Sequence, residues 1–196
     1  MLKQSEILNG IILSADKHKE FDLRFIVLSQ DRLKITYATG ILRPTAKLRG
    51  ALQLFNECEL SMIGSKIMGA HIIQNNVKLT KEIHRFYLAN SIADILTKTL
   101  RGGSEDGIYK LVSDTFKILA QTDISIYKIY IAFYSKLLSI LGYGVEEFEY
   151  SDKIDEFMFT EDVDSVELGL GIANKCVDAI KRAYYENLDV VIEMIF

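Results

Sequence analysis

The chain has 196 residues, 49% of them apolar, and a formal net charge of −4. That length suits one large domain or two small ones, and the apolar content excludes global disorder. No apolar run reaches the roughly 18 to 20 uncharged residues that a membrane-spanning helix needs; the nearest, residues 124–141, is interrupted by Lys128 and Lys136.

The first 75 or so residues read as β-structure. Residues 7–14 form an opening strand. Leu23, Phe25 and Val27 share one face of a second, and Leu33, Ile35 and Tyr37 alternate with Lys34 and Thr36 in a third. Cys58, Leu60 and Met62 alternate with Glu59 and Ser61, and residues 67–73 continue the two-residue period as a fifth strand. Polar turns separate them at residues 16–19, 29–31 and 63–65. Five short strands suit a closed barrel, which removes exposed edges. The longer connection from Gly40 to Gly50 holds Pro44, the only proline, and residues 48–54 can make one or two helical turns there. A helix between the third and fourth strands is what an OB-fold places at this point.

After Leu79 the period becomes helical. Thr80 is the expected cap of a first helix carrying Ile83, Phe86, Ile92 and Leu96, ending near Arg101-Gly102-Gly103. Ser104 precedes a second, with Ile108, Val112, Phe116 and Leu119. Asp123 begins a third, with Ile126, Ile129, Phe133, Leu137 and Ile140, closed by Gly142. Residues 146–167 read as an acidic loop, and a fourth helix is expected from about Val163 to Tyr185. The expected fold class is therefore α+β: an amino-terminal five-stranded OB-fold barrel over residues 1–79, then an all-α domain over 80–196.

The charge is unevenly spread. Residues 1–79 carry 11 Lys and Arg against 7 Asp and Glu, a net of +4. Residues 80–196 net −8, because residues 146–167 hold ten acids and one base, Lys153. A basic domain beside an acidic strip fits a protein that meets a polyanion on one face and another partner elsewhere; a +4 balance is also within ordinary fluctuation for 79 residues.

Machinery for catalysis is missing. Gly102-Gly103 sits between helices and Gly169 and Gly171 lie in a helical pattern, so no phosphate-binding loop or dinucleotide fingerprint is present. His18, His71 and His84 have no neighbours suggesting a nucleophile–base pair, nor do they cluster with Cys58 or Cys176 as zinc ligands. The two cysteines read as small buried hydrophobes. No enzyme activity, metal or cofactor is expected. Residues 1–6 lack the shape of a secretory signal, which points to the cytoplasm.

Three segments carry a resemblance. Glu20-Phe21-Asp22-Leu23, then Ala38-Thr39-Gly40-Ile41-Leu42-Arg43-Pro44, then Leu48-Arg49-Gly50-Ala51-Leu52-Gln53-Leu54-Phe55 resemble, in order and spacing, the RecO family of bacterial recombination mediators. That family shows Glu-x-Asp, then Lys-Gly-x-Arg-Arg-x-x-Ser, then Gly-x-Leu-Gln-Pro-Phe. Looser similarity continues to Leu137-Leu138-Ser139-Ile140-Leu141-Gly142-Tyr143. Thr39, Leu42, Ala46 and Leu54 depart from the pattern. Where many members carry four zinc-binding cysteines, this chain has the acidic run, so no metal site is expected. The resemblance implies a cytoplasmic, nucleoid-associated bacterial protein with an accessory role. Such a protein binds single- and double-stranded DNA, anneals strands, contacts the tail of the single-strand-binding protein, and works with RecR to load RecA recombinase. A protein–protein adaptor that kept the fold but lost DNA affinity is the alternative; an enzyme of unrecognised type is a third reading.

Taken from the residues themselves, the expected DNA contacts are Lys34, Arg43, Lys47 and Arg49, with Asp31 the only acid between residues 31 and 50. Lys17, Lys19 and Arg24 on the first hairpin are second choices. Tyr37 is the candidate for base stacking, although an aromatic in a barrel strand is more often core, and Phe55 reads as core. Glu20 and Asp22 read as hairpin or domain-packing anchors, pairing with a nearby arginine. A groove between the first and third helices would suit an apolar peptide tail with an acidic end.

Overall fold

The structure, a computed structural model, describes residues 5–100, 106–121, 123–144 and 150–192. The expected helix end at Arg101-Gly102-Gly103, the Ser104 start and residues 146–149 of the acidic run lie outside the described residues. Five strands come first: β1 (Ser5–Lys17), β2 (Leu23–Ser29), β3 (Leu33–Ala38), β4 (Glu57–Ile63) and β5 (Lys66–Gln74). They close into a barrel in the order β1-β2-β3-β5-β4. Long β1 pairs with β4 through its first half and with β2 through its second, and Gly10 and Ile11 face both neighbours. Closure rests on one parallel pair, Tyr37 with Lys66. The β3–β4 connection carries a short 3-10 turn, Lys47–Gly50, whose Leu48 packs on the barrel interior.

The barrel has two apolar faces. Leu8, Ile12, Phe25, Val27, Leu60 and Met62 fill its interior. Ile11, Leu13, Leu28 and Phe55 point outward and join the core of the helices. This is why β1 reads as a continuous apolar run at residues 11–13: alternate side chains serve alternate cores. Phe55 is fully buried against Phe116 and Phe86, at ring separations of 5.2 and 6.1 Å.

The strand β3 departs from expectation. Its register sets Thr36 opposite Phe25 and Lys34 opposite Val27, two interior residues. Thr36 and Ala38 are therefore buried, while Ile35 is 55% exposed and Tyr37 half-buried on the outside. The more apolar parity of β3 faces outward because Leu33 is needed against the helices.

Among the described residues five helices follow: α1 (Ile83–Thr99), α2 (Ile108–Gln121), α3 (Ile126–Ile140), α4 (Ser151–Phe159) and α5 (Leu170–Leu188). The central helix is α3, with every residue from 129 to 138 buried except Lys136. It ends at Gly142, φ 83°, where the Tyr143 N–H donates to Leu138 O at 3.0 Å, the left-handed glycine terminus its position predicts. Thr80 does not cap α1. Its hydroxyl donates to Val77 O at 2.8 Å within a second 3-10 turn, Val77–Thr80, and α1 starts three residues later.

The acidic run is not a loop throughout. Ile154 and Phe157 bury one side of α4, so apolar periodicity within the charged stretch wins a helix. The last helix also starts later than Val163. Residues 160–168 instead run over α3, with Val163 and Val166 buried. Lys136 and Lys128 donate to the carbonyls of Thr160 and Asp164 at 2.6 and 2.7 Å, which holds this backbone out of helical pairing. Cys58 and Cys176 are buried free thiols, as their composition predicts. No helix among the described residues is long and apolar enough to cross a membrane.

Candidate nucleic-acid interface

One row of side chains crosses the outside of the barrel near the β1–β2 turn. Asp16, Arg24, Tyr37 and Lys66 stand opposite one another on β1, β2, β3 and β5. Their side chains leave the same face because directly paired residues share a side of the sheet. Two turns flank the row. From the β1–β2 turn, His18 lays its ring 4.8 Å from that of Tyr37, tilted by 52°. From the β4–β5 turn, Ser65 O accepts the Tyr37 N–H at 2.9 Å. The next row, Ser14, Ile26 and Ile35, places exposed Ile35 beside Tyr37. An aromatic and an aliphatic surface thus lie open between two cations.

The β3–β4 connection is pinned to this end of the barrel. Asp22 Oδ1 accepts the Gly40 N–H at 2.7 Å, and Phe21 O accepts the Leu42 N–H at 3.1 Å. The Arg43 guanidinium then sits 5.4 Å from the Phe21 ring centroid, a cation–π contact. Asp22 is thus an anchor, though its partner is a backbone amide and not the arginine expected.

The eight expected contact residues separate into three groups. Lys17, Lys19, Arg24, Tyr37 and Arg43 gather around the β1–β2 turn. Lys47 and Arg49 are exposed on the 3-10 turn, either side of inward-packing Leu48. Lys34 belongs to neither group. It faces the barrel interior at its mouth, where its ammonium meets Glu6 Oε1 at 2.6 Å. That bond holds the Glu6 carboxyl below its ordinary range and leaves Lys34 already neutralised.

Arg24 pairs with Asp16 at 2.9 Å, but both are well exposed, so the pair is weak and open to competition from phosphate. Among the described residues, no carboxylate lies within ion-pair distance of Lys17, Lys19, Arg43, Lys47, Arg49 or Lys66. Such unpaired cations can neutralise phosphates with no sequence preference, and a half-exposed ring can stack on a base.

Four residues of this surface were not singled out from the sequence: His18, Phe21, Ile35 and Lys66. The lysine arrives only through the β3–β5 pairing, across 29 residues of chain. The parity of β3, which brings out Ile35, has no local sequence signal.

No family model matches the chain. It is similar to DNA repair protein RecO of Desulforudis audaxviator (strain MP104C), with 25% identity over 143 residues. The match takes in 70% of this chain and spans 57% of the relative's length.

Proposed function

Because its similarity to a curated relative supports membership of the RecO family, we propose that this chain is a recombination mediator in DNA repair that performs no covalent chemistry itself. In this reading it binds single- and double-stranded DNA, promotes annealing, and helps load RecA recombinase onto DNA coated with single-strand-binding protein, together with RecR. The barrel is an OB-fold, supported by the strand order β1-β2-β3-β5-β4 and the short helix between β3 and β4. Residues 1–79 form the DNA-binding domain and residues 80–196 the partner-binding one, acting in the cytoplasm at the nucleoid.

The observation that carries this is the outer face of β2 and β3, with the β1–β2 and β4–β5 turns on either side. An OB-fold grips oligonucleotides at that location, and here it presents Tyr37, His18 and Ile35 between Arg24 and Lys66. Cations meet the backbone while the ring and aliphatic surface meet bases, a combination that suits an unpaired strand. For the tail of the single-strand-binding protein, a groove of about 590 Å³ at the starts of α1 and α3 supplies the apolar residues Ile83, Ile126 and Tyr127 with Arg85. Ile83 is 62% exposed there, and an acidic tail would compete with Glu82 for the guanidinium, now 2.8 Å apart.

Titration of a labelled single strand at two salt concentrations tests the reading. Binding should weaken with salt, and Arg43→Ala with Lys47→Ala should shrink the slope by about one per lost phosphate contact. Tyr37→Ala should cost about 1 to 3 kcal/mol if one base stacks there. Weak, salt-insensitive binding unchanged by these substitutions would instead favour the adaptor reading, to which the Lys34–Glu6 pair already lends some support.

A further inference from the structure

A chain of buried amides runs from the β3–β4 connection to the helices. Asn56 and Asn76 are each 1% exposed, the only asparagine or glutamine side chains so buried among the described residues. Asn56 Oδ1 accepts the Asn76 N–H at 2.8 Å, and Asn56 Nδ2 donates to Ala51 O at 3.1 Å. Asn76 Nδ2 donates in turn to Phe55 O at 3.0 Å, while its Oδ1 accepts from Gln74 Nε2 at 3.1 Å. Gln74 Nε2 also reaches Ser113 O on α2, at 3.3 Å. Both asparagines therefore use their oxygen and their nitrogen, and a buried network satisfied in this way fixes one geometry.

The far end of the network holds the 3-10 turn Lys47–Gly50. Ala51 follows that turn directly. Its carbonyl collects three donors: the Gln53 N–H at 2.9 Å, Asn56 Nδ2 at 3.1 Å and the Cys58 thiol at 3.4 Å. From the more open side, the Gln53 carboxamide donates to Arg49 O. Leu48 and Leu52 pack on the barrel interior, but apolar packing has no directional preference and seats the turn without setting its rotation. Hydrogen bonds favour a narrow range of angles and supply that direction.

Phe55 prepares the arrangement. Its φ of 68° is left-handed, which a residue with a side chain adopts rarely and only where its surroundings enforce it. Here the Phe55 N–H donates to Ile12 O at 2.8 Å and the ring is fully buried. The chain bends at this residue, and Asn56 reaches back to a carbonyl five residues earlier.

We propose that the Asn56 carboxamide, with Gln53 clamping the same turn from outside, is the positioning group for the DNA contacts Lys47 and Arg49. Neither side chain touches DNA. Asn56 ties the rotation of the turn to Asn76, and through Gln74 to α2, so the two cations are aimed relative to the helices as well as the barrel. This rests on the reading that Lys47 and Arg49 meet phosphates.

Titration of the full chain with a labelled single strand over a range of salt concentrations tests it. Asn56→Asp keeps an oxygen for the Asn76 N–H but sets an oxygen against Ala51 O, cutting only the arm to the turn. It should lower the salt slope by about 0.7 to 1.4, the value for one to two phosphates on a single strand. Gln53→Ala, on the half-exposed side, should lower it by up to about 0.7. Neither substitution should change binding further when Lys47→Ala and Arg49→Ala are already present, because a group acting through those cations has nothing left to position. A general loss of folding would weaken both backgrounds alike. Equal losses in both backgrounds overturn the proposal, as does an unchanged slope in folded Asn56→Asp. If that variant does not fold, an unchanged slope in Gln53→Ala overturns it. If Lys47→Ala with Arg49→Ala itself leaves the slope unchanged, those cations meet no phosphate and the inference falls with that assignment. If that pair lowers the slope and the amide variants do not, the inference alone falls.

Discussion

The carboxylate of Glu57 should be worth several kcal/mol to the junction between barrel and helices. It opens β4 and reaches α2, where Oε1 accepts the Tyr109 hydroxyl at 2.8 Å and Oε2 the Ser113 hydroxyl at 2.6 Å. Burial and then this bond push the Tyr109 phenol well above its ordinary range, as expected for a hydroxyl held as donor to an anion. Hydrogen bonds to a charged acceptor contribute about 1.5 to 3 kcal/mol each. The site is only half-buried, so water can reach the freed hydroxyls and the lower part of that range applies. Glu57→Ala should therefore cost about 2 to 4 kcal/mol. In a double-mutant cycle, Tyr109→Phe and Glu57→Ala should couple by about 1 to 2 kcal/mol. Urea unfolding followed by circular dichroism and tyrosine fluorescence measures both. A loss below about 0.5 kcal/mol, the level of an ordinary surface substitution, would show that the carboxylate is solvated and adds little to the junction.

Two further predictions concern the cores. Among the described residues the buried Tyr130 hydroxyl has no hydrogen-bond partner, so Tyr130→Phe should be neutral or stabilise by about 1 to 2 kcal/mol, and a lower urea midpoint would refute this. An added Cβ at Gly10 would overlap Val27 Cγ1 where β1 is paired on both sides, so Gly10→Ala should cost about 1 to 3 kcal/mol, read as a lower melting temperature. The pH dependence follows from the buried phenols and thiols. Burial raises Tyr130, Tyr134 and Tyr184 above their ordinary range and pushes Cys58 from 9.0 up to about 11. With the folded pKa above the unfolded one, the stabilisation is full below the unfolded value and is lost as pH climbs through the interval. The urea midpoint should hold to about pH 9 and fall beyond it; a flat midpoint to pH 10.5 would contradict the buried assignments.

Much of this architecture was legible in the residues. The alternation of Cys58, Leu60 and Met62 against Glu59 and Ser61 marks β4, and burial follows it. The turn at Gly142 and the apolar run of α3 stand where the pattern sets them. Other elements were misread for identifiable reasons. Counting the apolar residues of β3 puts Leu33, Ile35 and Tyr37 on one face without saying which way that face points. The acids of residues 151–159 mask a buried pair, Ile154 and Phe157, only three positions apart. Thr80 has cap chemistry, but a 3-10 turn uses its hydroxyl first.

The candidate surface divides along the same line. By itself the sequence determined the α+β order, the switch of period near residue 79, the basic amino-terminal part and the cations of the β3–β4 connection, because these are properties of composition and local periodicity. Only tertiary structure decided that Lys34 turns inward to Glu6, that Tyr37 turns outward under His18, and that Lys66 joins them from β5. A strand's alternation has two equivalent phases, and the choice between them is made by what packs on each side of the sheet. That packing comes from partners far along the chain.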